Sequence, residues 1–538
     1  ICTSLQTVLK KQVCDLSHNI NRGKVTVGNK RELTINMAAS LIQFTINIGI
    51  GFCLSPFVVS KLGAEAYGYV GLANNIISYV SLLTIALDSV AGRFITIAYH
   101  QGEKEKAERY FSSTFMADCL IALVVAVVAI PVTFNLEHLI NIAPHLVDDV
   151  KMLFAFLFVQ FIITSVSTVL TVATFITNKL YLSSLANTGF SIVRLVVMMV
   201  FFGFLPPMVM YVGLGSLCGT FLTVLLNYRY TRRLTPELIL RKDAISWPLV
   251  REMLSSGMWN VVIKLQQVIS FGLKLLVANL MINPYKMGMM SIAQTVPSMV
   301  SGLMGTISGL FYPAQTRYFA QGRVTELVYD MKFGMRMCGF FTVVITTVTC
   351  VLGKEFFLLW QPGQDPKMLY LLMLITMMGF LVSGAATTLQ NVPLIVNKLK
   401  TYSISWLLFS ITSLPLTWIL IKFTPLDIYA VAIVPTALEV LANVTFVPIY
   451  ASTILKVSNW TFYPVYLQYV ASTVLSLTVC IGIKHLLHIS SKTWVAFFIS
   501  AVIYTAIASI ITLLTLLGNR ERNDLWDIIK RKLHLKVA

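Results

Sequence analysis

Polar and ionisable side chains recur at helical spacing inside one long apolar stretch of the sequence. Asn260, Lys264, Gln267 and Lys274 fall within an arc of about 80° when they are projected on an α-helix. The two lysines would then lie about 15 Å apart along the helix axis. Because a charge is costly in hydrocarbon, such side chains usually face a cavity or a partner. The spacing predicts a cationic stripe suited to an anionic group such as a phosphate or pyrophosphate.

Two further sets of polar residues occur in the first two apolar stretches of the chain, and the set in the first stretch is neutral. Each set occupies one face of a helix, so we expect the three helices to border a common cleft. Amide and hydroxyl side chains that stand alone more often bond one membrane helix to another, and this alternative stays open. The two sets are Asn36, Ser40, Gln43 and Asn47, and Asn74, Ser78, Ser81 and Asp88.

Further charges stand inside other apolar stretches. Arg194 and Arg93 are cationic, whereas Asp88, Asp118 and Glu439 are acidic, so together with the two lysines the embedded set leans positive. Arg93 follows Asp88 by five residues, and the two can instead neutralise each other. Arg93 and Asp118 can also lie near the membrane interface, with the arginine reaching water.

The composition indicates which secondary structure holds these polar and charged residues. Hydrophobic residues make up 57% of the 538, and charged residues only 12%, whereas soluble domains carry about 25% charged residues. Lipid offers no hydrogen-bond partners to a bare backbone, so the apolar stretches must be helices or barrel strands. Their length and lack of alternation select helices, and the fold class is an all-α polytopic membrane protein. About fourteen spans are predicted: 33–59, 66–99, 110–134, 150–178, 181–205, 207–230, 254–281, 285–318, 329–352, 367–396, 401–422, 426–454, 462–486 and 493–517.

Basic residues cluster in alternate breaks between the spans. The intervening breaks carry few of them, so the positive-inside rule places both termini in the cytoplasm and requires an even number of crossings. Fourteen crossings fit, and twelve fit if two weak spans do not cross. The formal net charge of +18 is explained by this topology and not by nucleic acid. The basic breaks contain Lys24, Lys30 and Arg31; Lys104, Lys106 and Arg109; Arg229, Arg232, Arg233, Arg241 and Lys242; and Arg317 and Arg323.

An internal repeat relates the second span to the eighth. At one constant offset, without a gap, Gly68 pairs with Gly288 and the register continues to the pairing of Gly102 with Gly322. A sustained register of this kind indicates a duplication. Because six spans separate the copies, both halves have the same orientation and should be related by a pseudo-twofold axis along the membrane normal, with a central cleft between them.

The chain therefore divides into six predicted regions. A cytoplasmic N-terminal segment precedes a six-helix bundle, a cytoplasmic linker, a second six-helix bundle, two extra helices and a cytoplasmic tail. The tail has an amphipathic pattern, and an interfacial helix or a solvated tail are both compatible with it. These regions are 1–32, 33–230, 231–253, 254–454, 455–518 and 519–538.

Motifs for catalysis or metal binding are lacking. The sequence has no nucleotide-binding G-x-x-x-x-G-K-[ST] loop, no H-E-x-x-H pair, no paired-cysteine metal site and no G-x-S-x-G elbow. The breaks between spans are too short for a catalytic domain. We therefore expect a transporter without a bound cofactor or metal, and not an enzyme.

The stretch from Leu54 to Phe111 resembles the opening of Wzx-type polysaccharide flippases of the MOP exporter superfamily. The span count and the duplicated halves extend the likeness over nearly the whole chain. Two short motifs carry it. They are L-G-x-x-x-Y-G at Leu62, Gly63, Tyr67 and Gly68, and an arginine followed by Gly-Glu at Arg93, Gly102 and Glu103.

This resemblance implies that the chain flips undecaprenyl-pyrophosphate-linked oligosaccharide repeats across the bacterial cytoplasmic membrane, for surface polysaccharides such as O-antigen. It also implies ion-coupled alternating access, with a proton or sodium as the ion, and partners among membrane lipids and polysaccharide-assembly proteins. Under this likeness the substrate-binding candidates are Lys264, Lys274, Arg194, Arg93, Gln267, Asn260, Gln43, Asn47 and Asn74, and the ion-coupling candidates are Asp88, Asp118 and Glu439.

Two alternatives remain. A multidrug exporter of the MATE type has a similar architecture, but such exporters mostly bind cations, which a cationic cleft disfavours. A membrane ligase or polymerase of glycans is disfavoured by the short external breaks. The sequence leaves open the sugar repeat, the coupling ion and the oligomeric state.

Overall fold

The structure is a computed structural model that describes residues 30–487, 493–518 and 522. The N-terminal segment up to residue 29 and nearly all of the tail from residue 519 lie outside the described residues. The role of the first segment and the interfacial helix of the tail therefore stay predictions.

Every regular element in the described part of the chain is helical, and fourteen helical segments coincide with the fourteen predicted spans. The chain first forms one helix, Lys30–Val80, in which Gly63 has non-helical angles (φ 86°, ψ 168°), so we divide it there. Several segments begin earlier or end later than predicted, because helices longer than the hydrocarbon protrude from it. The segments are α1 (30–62), α2 (64–100), α3 (Lys104–Phe134), α4 (147–176), α5 (Leu180–Phe204), α6 (Met210–Leu234), α7 (Trp247–Met281), α8 (284–320), α9 (Val324–Trp360), α10 (366–395), α11 (Leu399–Phe423), α12 (Ile428–Leu455), α13 (Tyr463–Leu487) and α14 (Trp494–Thr515).

By length and apolar composition, 11 helices of the described chain can cross a membrane, or 12 if the bent pair in α10 is one span. This assessment treats the stretch Ala38–Leu83 as one helix. A straight helix of 51 residues would be about 77 Å long, more than twice the hydrocarbon thickness. The break at Gly63 makes two crossings the natural interpretation of that helix, but the count of fourteen stays a prediction.

Paired turns in the two halves agree with the duplication. Gly102 ends α2 with φ 83°, and Gly322 ends α8 with φ 69°. Asn178 ends α4 with φ 54°, and Asn397 ends α10 with φ 58°. Both asparagines precede the same Lys-Leu dipeptide. Glycine and asparagine are the residues that best tolerate this left-handed conformation, so the same turn chemistry recurs in both copies.

The two halves meet where α2 crosses α8. A Cβ atom added to Gly68 would lie 2.7 Å from the Cα atom of Gly288, and one added to Gly288 would lie 2.1 Å from the carbonyl oxygen of Ala64. These two glycines are the pair that the repeat alignment matches. The backbones therefore touch at equivalent positions of the two copies, and only glycine fits there.

The last two helices pack on α9 of the second half. The Tyr469 ring of α13 contacts Gly339 of α9, and its hydroxyl donates to the carbonyl oxygen of Phe380. Cys480 of α13 and Tyr504 of α14 are buried in one apolar cluster with Val351 of α9. These helices enlarge the second half and take no part in the contact between α2 and α8.

Candidate functional site

Four of the predicted site residues line one cavity of about 420 Å³ in the first half. Gln43 and Asn47 reach it from α1, Asn74 from α2 and Arg194 from α5. Asn187 and Ser191 of α5 add further polar groups to its wall, and all the lining residues belong to the first six helices. The cavity is therefore inside one half, whereas the sequence predicted a single cleft between the halves. In size and in its mixture of apolar and polar groups it resembles small-molecule sites.

Arg194 carries the formal charge of this cavity. Its Nε atom is buried without a hydrogen-bond partner in the described chain, and no carboxylate there lies within ion-pair distance of its guanidinium. The Arg194 backbone is fixed by α6, because a Cβ atom on Gly215 would lie 2.9 Å from the Arg194 carbonyl oxygen. A half-buried guanidinium that lacks an internal counter-charge is stabilised when an anion enters.

The amides around Arg194 are held by bonds to neighbouring groups. The Ser191 hydroxyl donates to Asn47 Oδ1 at 2.5 Å, which joins α5 to α1. The Asn74 amide nitrogen donates to the Val70 carbonyl oxygen at 2.8 Å. Asn47 therefore bonds one helix to another, which was the alternative to a role in the cleft. It also lines the cavity, so the two roles are compatible.

Lys274 lies elsewhere, in the second half. It is only 6% exposed, and the charge of Glu439 on α12 interacts with it. Both residues line a small cavity of about 70 Å³, together with Gln294 of α8. Lys274 thus has an opposite charge inside its own half, whereas Arg194 is without one among the described residues.

Asn260, another member of the predicted stripe on α7, contacts α2. The Asn260 amide nitrogen donates to the Ser89 hydroxyl at 2.9 Å. One turn earlier, a Cβ atom on Gly257 would lie 1.7 Å from the Ala86 carbonyl oxygen, so the two backbones touch. Lys264 and Gln267 line neither of the two cavities described above. The structure therefore does not bring the whole stripe together with Arg194.

A third cavity, of about 280 Å³, lies among α2, α3 and α4 and is lined by Asp88 and Arg93. Arg93 makes no ion pair with Asp88 within the described residues, and its guanidinium lies 5.4 Å from the centre of the Phe94 ring. Mutual neutralisation, one of the two alternatives for Arg93, is not observed. Asp118 of α3 is fully buried, and the charge of Asp88 acts on it.

Sequence reasoning missed the residues that join the two halves at one end. Asn141, between α3 and α4, and Asn279, at the end of α7, exchange three hydrogen bonds of 2.8 to 2.9 Å. The Trp360 indole nitrogen donates to the Phe52 carbonyl oxygen of α1 at 2.8 Å. The sequence shows an asparagine near the end of an apolar stretch, which can signal a bond between helices. It does not show which residue is the partner. These bonds hold the two halves together at the end predicted to be external, which we call the closed end.

A π-helical turn in α7 adds further bonds between the halves. Residues Val268–Gly272 form a π-helix, and the Gly272 carbonyl oxygen accepts from the Asn75 amide at 3.0 Å and the Tyr79 hydroxyl at 2.8 Å. Both donors belong to α2. At the opposite end, the bonds between the halves come through the beginning of α7, as between Tyr110 and Glu252 at 3.0 Å.

Comparisons with known proteins agree with this architecture. The MatE family profile matches residues 39–174. The uncharacterized membrane protein EpsK of Bacillus subtilis is 26% identical over 460 residues, which cover 86% of this chain and 91% of that protein.

Among solved structures, an inward-facing MATE multidrug transporter of the MOP superfamily superposes with a TM-score of 0.63, at 13% identity over 79% of this chain and 99% of that chain. The lipid II flippase MurJ, in an inward closed conformation, gives 0.62 at 15% identity over 93% of this chain and 99% of that chain. Both likenesses concern the fold. The predicted fold class is confirmed, and this chain is a multi-pass membrane protein with the fold of MATE and MurJ transporters of the MOP superfamily.

Proposed function

We propose that this protein flips lipid-linked oligosaccharide repeats, with an undecaprenyl pyrophosphate carrier, across the bacterial cytoplasmic membrane by ion-coupled alternating access. The observation that carries the proposal is the cavity lined by the half-buried Arg194, which has no counter-charge within ion-pair distance among the described residues. A guanidinium in such a place favours an anionic group, and the surrounding amides and hydroxyls can bond sugar hydroxyls.

The closed end supports the direction of the proposed transport. The hydrogen bonds of Asn141 with Asn279, and of Trp360 with Phe52, join the halves at the predicted external end. A cavity shut at that end can load from the predicted cytoplasmic side. Outward release then requires these contacts to break, which is the change of state that alternating access needs.

The extent of the likeness to MurJ favours a lipid-linked substrate. The MurJ match covers 93% of this chain, against 79% for the MATE transporter. The difference between these two coverages corresponds to about the length of two helices such as α13 and α14. MurJ is named a flippase of lipid II, and this chain shares the larger architecture with it.

In this proposal the substrate first contacts the residues of the first cavity, which are Arg194, Gln43, Asn47 and Asn74. Lys264 and Gln267 of α7 contact it when the halves rearrange. Three other binding candidates act at a distance from the first cavity: Lys274, Arg93 and Asn260. The candidates for ion coupling remain Asp88, Asp118 and Glu439. We further propose that both termini lie in the cytoplasm and that other polysaccharide-assembly proteins receive the flipped substrate.

A multidrug exporter is the second candidate, because the MatE family profile matches α1 to α4 and a MATE transporter superposes well. The proposal of a flippase would fail if the purified protein moved cationic dyes and ignored lipid-linked sugars. The cation Arg194 makes the first cavity a poor site for such dyes.

Reconstitution into vesicles tests the proposal directly. A fluorescent undecaprenyl-pyrophosphate disaccharide is loaded into the membrane, and the fraction in the outer leaflet is read by chemical quenching. We expect Arg194→Gln to lower the initial rate at least tenfold, and Arg194→Lys to retain part of it. Arg229→Gln, on the predicted cytoplasmic surface, is the matched control and should keep the rate. Equal rates for wild type, Arg194→Gln and empty vesicles would exclude the flippase function.

A further inference from the structure

The first cavity lies inside one half, yet one residue of its wall is bonded to the other half. Ser55 of α1 lines the cavity and is fully buried. Its hydroxyl oxygen accepts from Gln361 Nε2 at 3.0 Å, and Gln361 directly follows α9 of the second half. Gln361 is itself only 1% exposed, and its Oε1 atom is buried without a hydrogen-bond partner in the described chain. A contact therefore runs from the second half to the cavity wall.

Pro56 explains why the end of α9 docks at this point of α1. Proline has no N–H, so the Phe52 carbonyl oxygen lacks the donor that residue 56 would otherwise supply within the helix. The Trp360 indole nitrogen supplies a donor at 2.8 Å, and its ring stacks on the Phe52 ring with 5.2 Å between the ring centres. This contact holds the next residue, Gln361, against Ser55.

The Ser55 hydroxyl differs from other helical hydroxyls of the first half because it makes no bond to its own backbone. A serine or threonine in a helix commonly donates to the carbonyl oxygen four residues earlier. Thr114, Ser191 and Ser216 do so at 2.8 to 3.1 Å. No bond donated by the Ser55 hydroxyl occurs among the described residues, and Gln361 occupies one of its lone pairs. Its hydrogen is therefore available to a ligand in the cavity.

Ser55 lies close enough to Arg194 for one ligand to contact both. The bond between Asn47 and Ser191 shows that residues 144 positions apart lie at the same level on α1 and α5. Arg194 is then level with Ile50. Ser55 lies five residues further along α1, about 7.5 Å nearer the closed end. A phosphate at Arg194, together with the phosphate or sugar that follows it, can span this distance.

Alternating access requires that the substrate has different affinities for the two states of the protein. A cavity wall that belongs entirely to one rigid half does not change between these states, so the other half must alter it. While the end is closed, Gln361 holds the Ser55 oxygen and leaves its hydrogen for the ligand. When the halves separate, the Ser55 hydroxyl can donate to the Gly51 carbonyl oxygen, four residues earlier. The ligand then loses a donor.

We propose that Gln361 is a positioning residue for the substrate, because through Ser55 it makes the affinity of the first cavity for an anionic head group depend on closure of the external end. The inference rests on the proposed function, to which it adds the device that releases the substrate outward. Hydrogen bonds in a chain polarise one another, so the bond from Gln361 also strengthens Ser55 as a donor. Gln361 contacts Ser55 and not the substrate.

Binding of inorganic pyrophosphate to the purified protein in detergent tests the proposal. Isothermal titration calorimetry gives the dissociation constant without a lipid carrier and without transport. We expect Gln361→Met to raise this constant about fivefold, the effect of one net hydrogen bond. In a Ser55→Ala background Gln361→Met should have no further effect. The matched control is Gln364→Met, the same change three residues later, where only the backbone bonds Gln361 among the described residues.

The two backgrounds separate a positioning role from a merely structural one. If Gln361 only held the halves together, Gln361→Met would raise the constant equally with and without the Ser55 hydroxyl, and that result would overturn the proposal. An unchanged constant in Gln361→Met alone would overturn it as well. Ser55→Thr keeps the hydroxyl, so it should keep the response to Gln361→Met.

Failure of this inference is distinguishable from failure of the proposed function. A wild-type protein that bound no pyrophosphate would contradict both, because the anion site itself would be absent. A wild-type protein that bound pyrophosphate and flipped the lipid-linked probe, with no effect of Gln361→Met on binding, would contradict this inference alone.

Discussion

Asn141 and Asn279 bond each other reciprocally across the two halves of the molecule. The Asn141 backbone N–H donates to Asn279 Oδ1 at 2.9 Å, and each side-chain amide donates to the carbonyl oxygen of the other residue at 2.8 and 2.9 Å. Asn279 is fully buried. The Tyr69 hydroxyl adds a bond to the Asn141 carbonyl oxygen at 2.9 Å, so α2 takes part in the same contact.

Replacement of Asn279 by alanine should loosen this closed end. The change removes the two bonds that the Asn279 side chain makes with Asn141 and keeps the one accepted by its backbone carbonyl oxygen. At about 1 kcal/mol for each net bond, the closed state should lose roughly 2 kcal/mol. We expect a cysteine at Ser55 to react at least tenfold faster with a membrane-impermeant maleimide. Asn135→Ala is the control, since the Asn135 amide donates to the Pro131 carbonyl oxygen four residues earlier, and among the described residues it makes no bond to the second half. Equal reactivity of Ser55→Cys in both backgrounds would mean that these bonds do not hold the end closed.

Lys274 and Glu439 should behave as one electrostatic unit. Lys274→Met alone leaves the half-buried Glu439 without its opposite charge, and we expect a loss of about 2 to 3 kcal/mol in stability. Lys274→Met/Glu439→Gln should recover most of that loss, because both charges are removed together. Thermal unfolding in detergent measures each variant. If the double variant were as unstable as the single one, the two residues would not compensate each other.

An exposed ion pair provides the comparison for the Lys274 and Glu439 variants. Lys104 and Glu237 are 2.8 Å apart, with side chains 58% and 38% exposed. Lys104→Met should change stability by less than about 1 kcal/mol, because water already screens such a pair. A double variant of Lys274 and Glu439 that folds but no longer flips substrate would assign the pair to transport as well as to stability.

Asn178 should be replaceable by glycine but not by alanine. Its φ of 54° lies in the left-handed region, where an alanine costs about 1 to 2 kcal/mol and a glycine costs little. We therefore expect Asn178→Ala to lower the melting temperature and Asn178→Gly to leave it nearly unchanged. The same pair of substitutions at Asn397 should give the same ordering, because the duplicated turn has the same conformation. Opposite orderings at the two sites would argue against equivalent turns.

The sequence predicted the helices well, because an apolar stretch in lipid has few alternatives to a helix. The repeat also paired Gly68 with Gly288 as equivalent positions, although it did not predict that their backbones touch. The site was predicted less well. Lys274 and Arg194 look alike in the sequence, as single cations in apolar stretches, and only packing shows that Lys274 has Glu439 as a counter-charge.

The contact between Asn141 and Asn279 was missed for a related physical reason. Each residue is an ordinary asparagine near the end of a helix, and the bonds depend on how the two halves dock. Periodicity finds the face of a helix, but it does not identify the helix that covers that face. Predicting one shared cleft required that assignment, and the structure instead divides the polar residues among separate cavities.

Gly288→Ala should destabilise the protein more than any other glycine substitution in α8. A Cβ atom there would lie 2.1 Å from the carbonyl oxygen of Ala64 and 2.5 Å from its carbon, and backbone atoms cannot rotate away. The helices α2 and α8 must then separate, and we expect a loss of about 1 to 3 kcal/mol. Gly305→Ala in the same helix is the matched control, since nothing lies within 4 Å of its added methyl group. Alanine favours the helix over glycine, so Gly305→Ala should keep or raise the melting temperature. If Gly288→Ala melted no lower than Gly305→Ala, the two halves would not be in backbone contact at the equivalent glycines of the repeat.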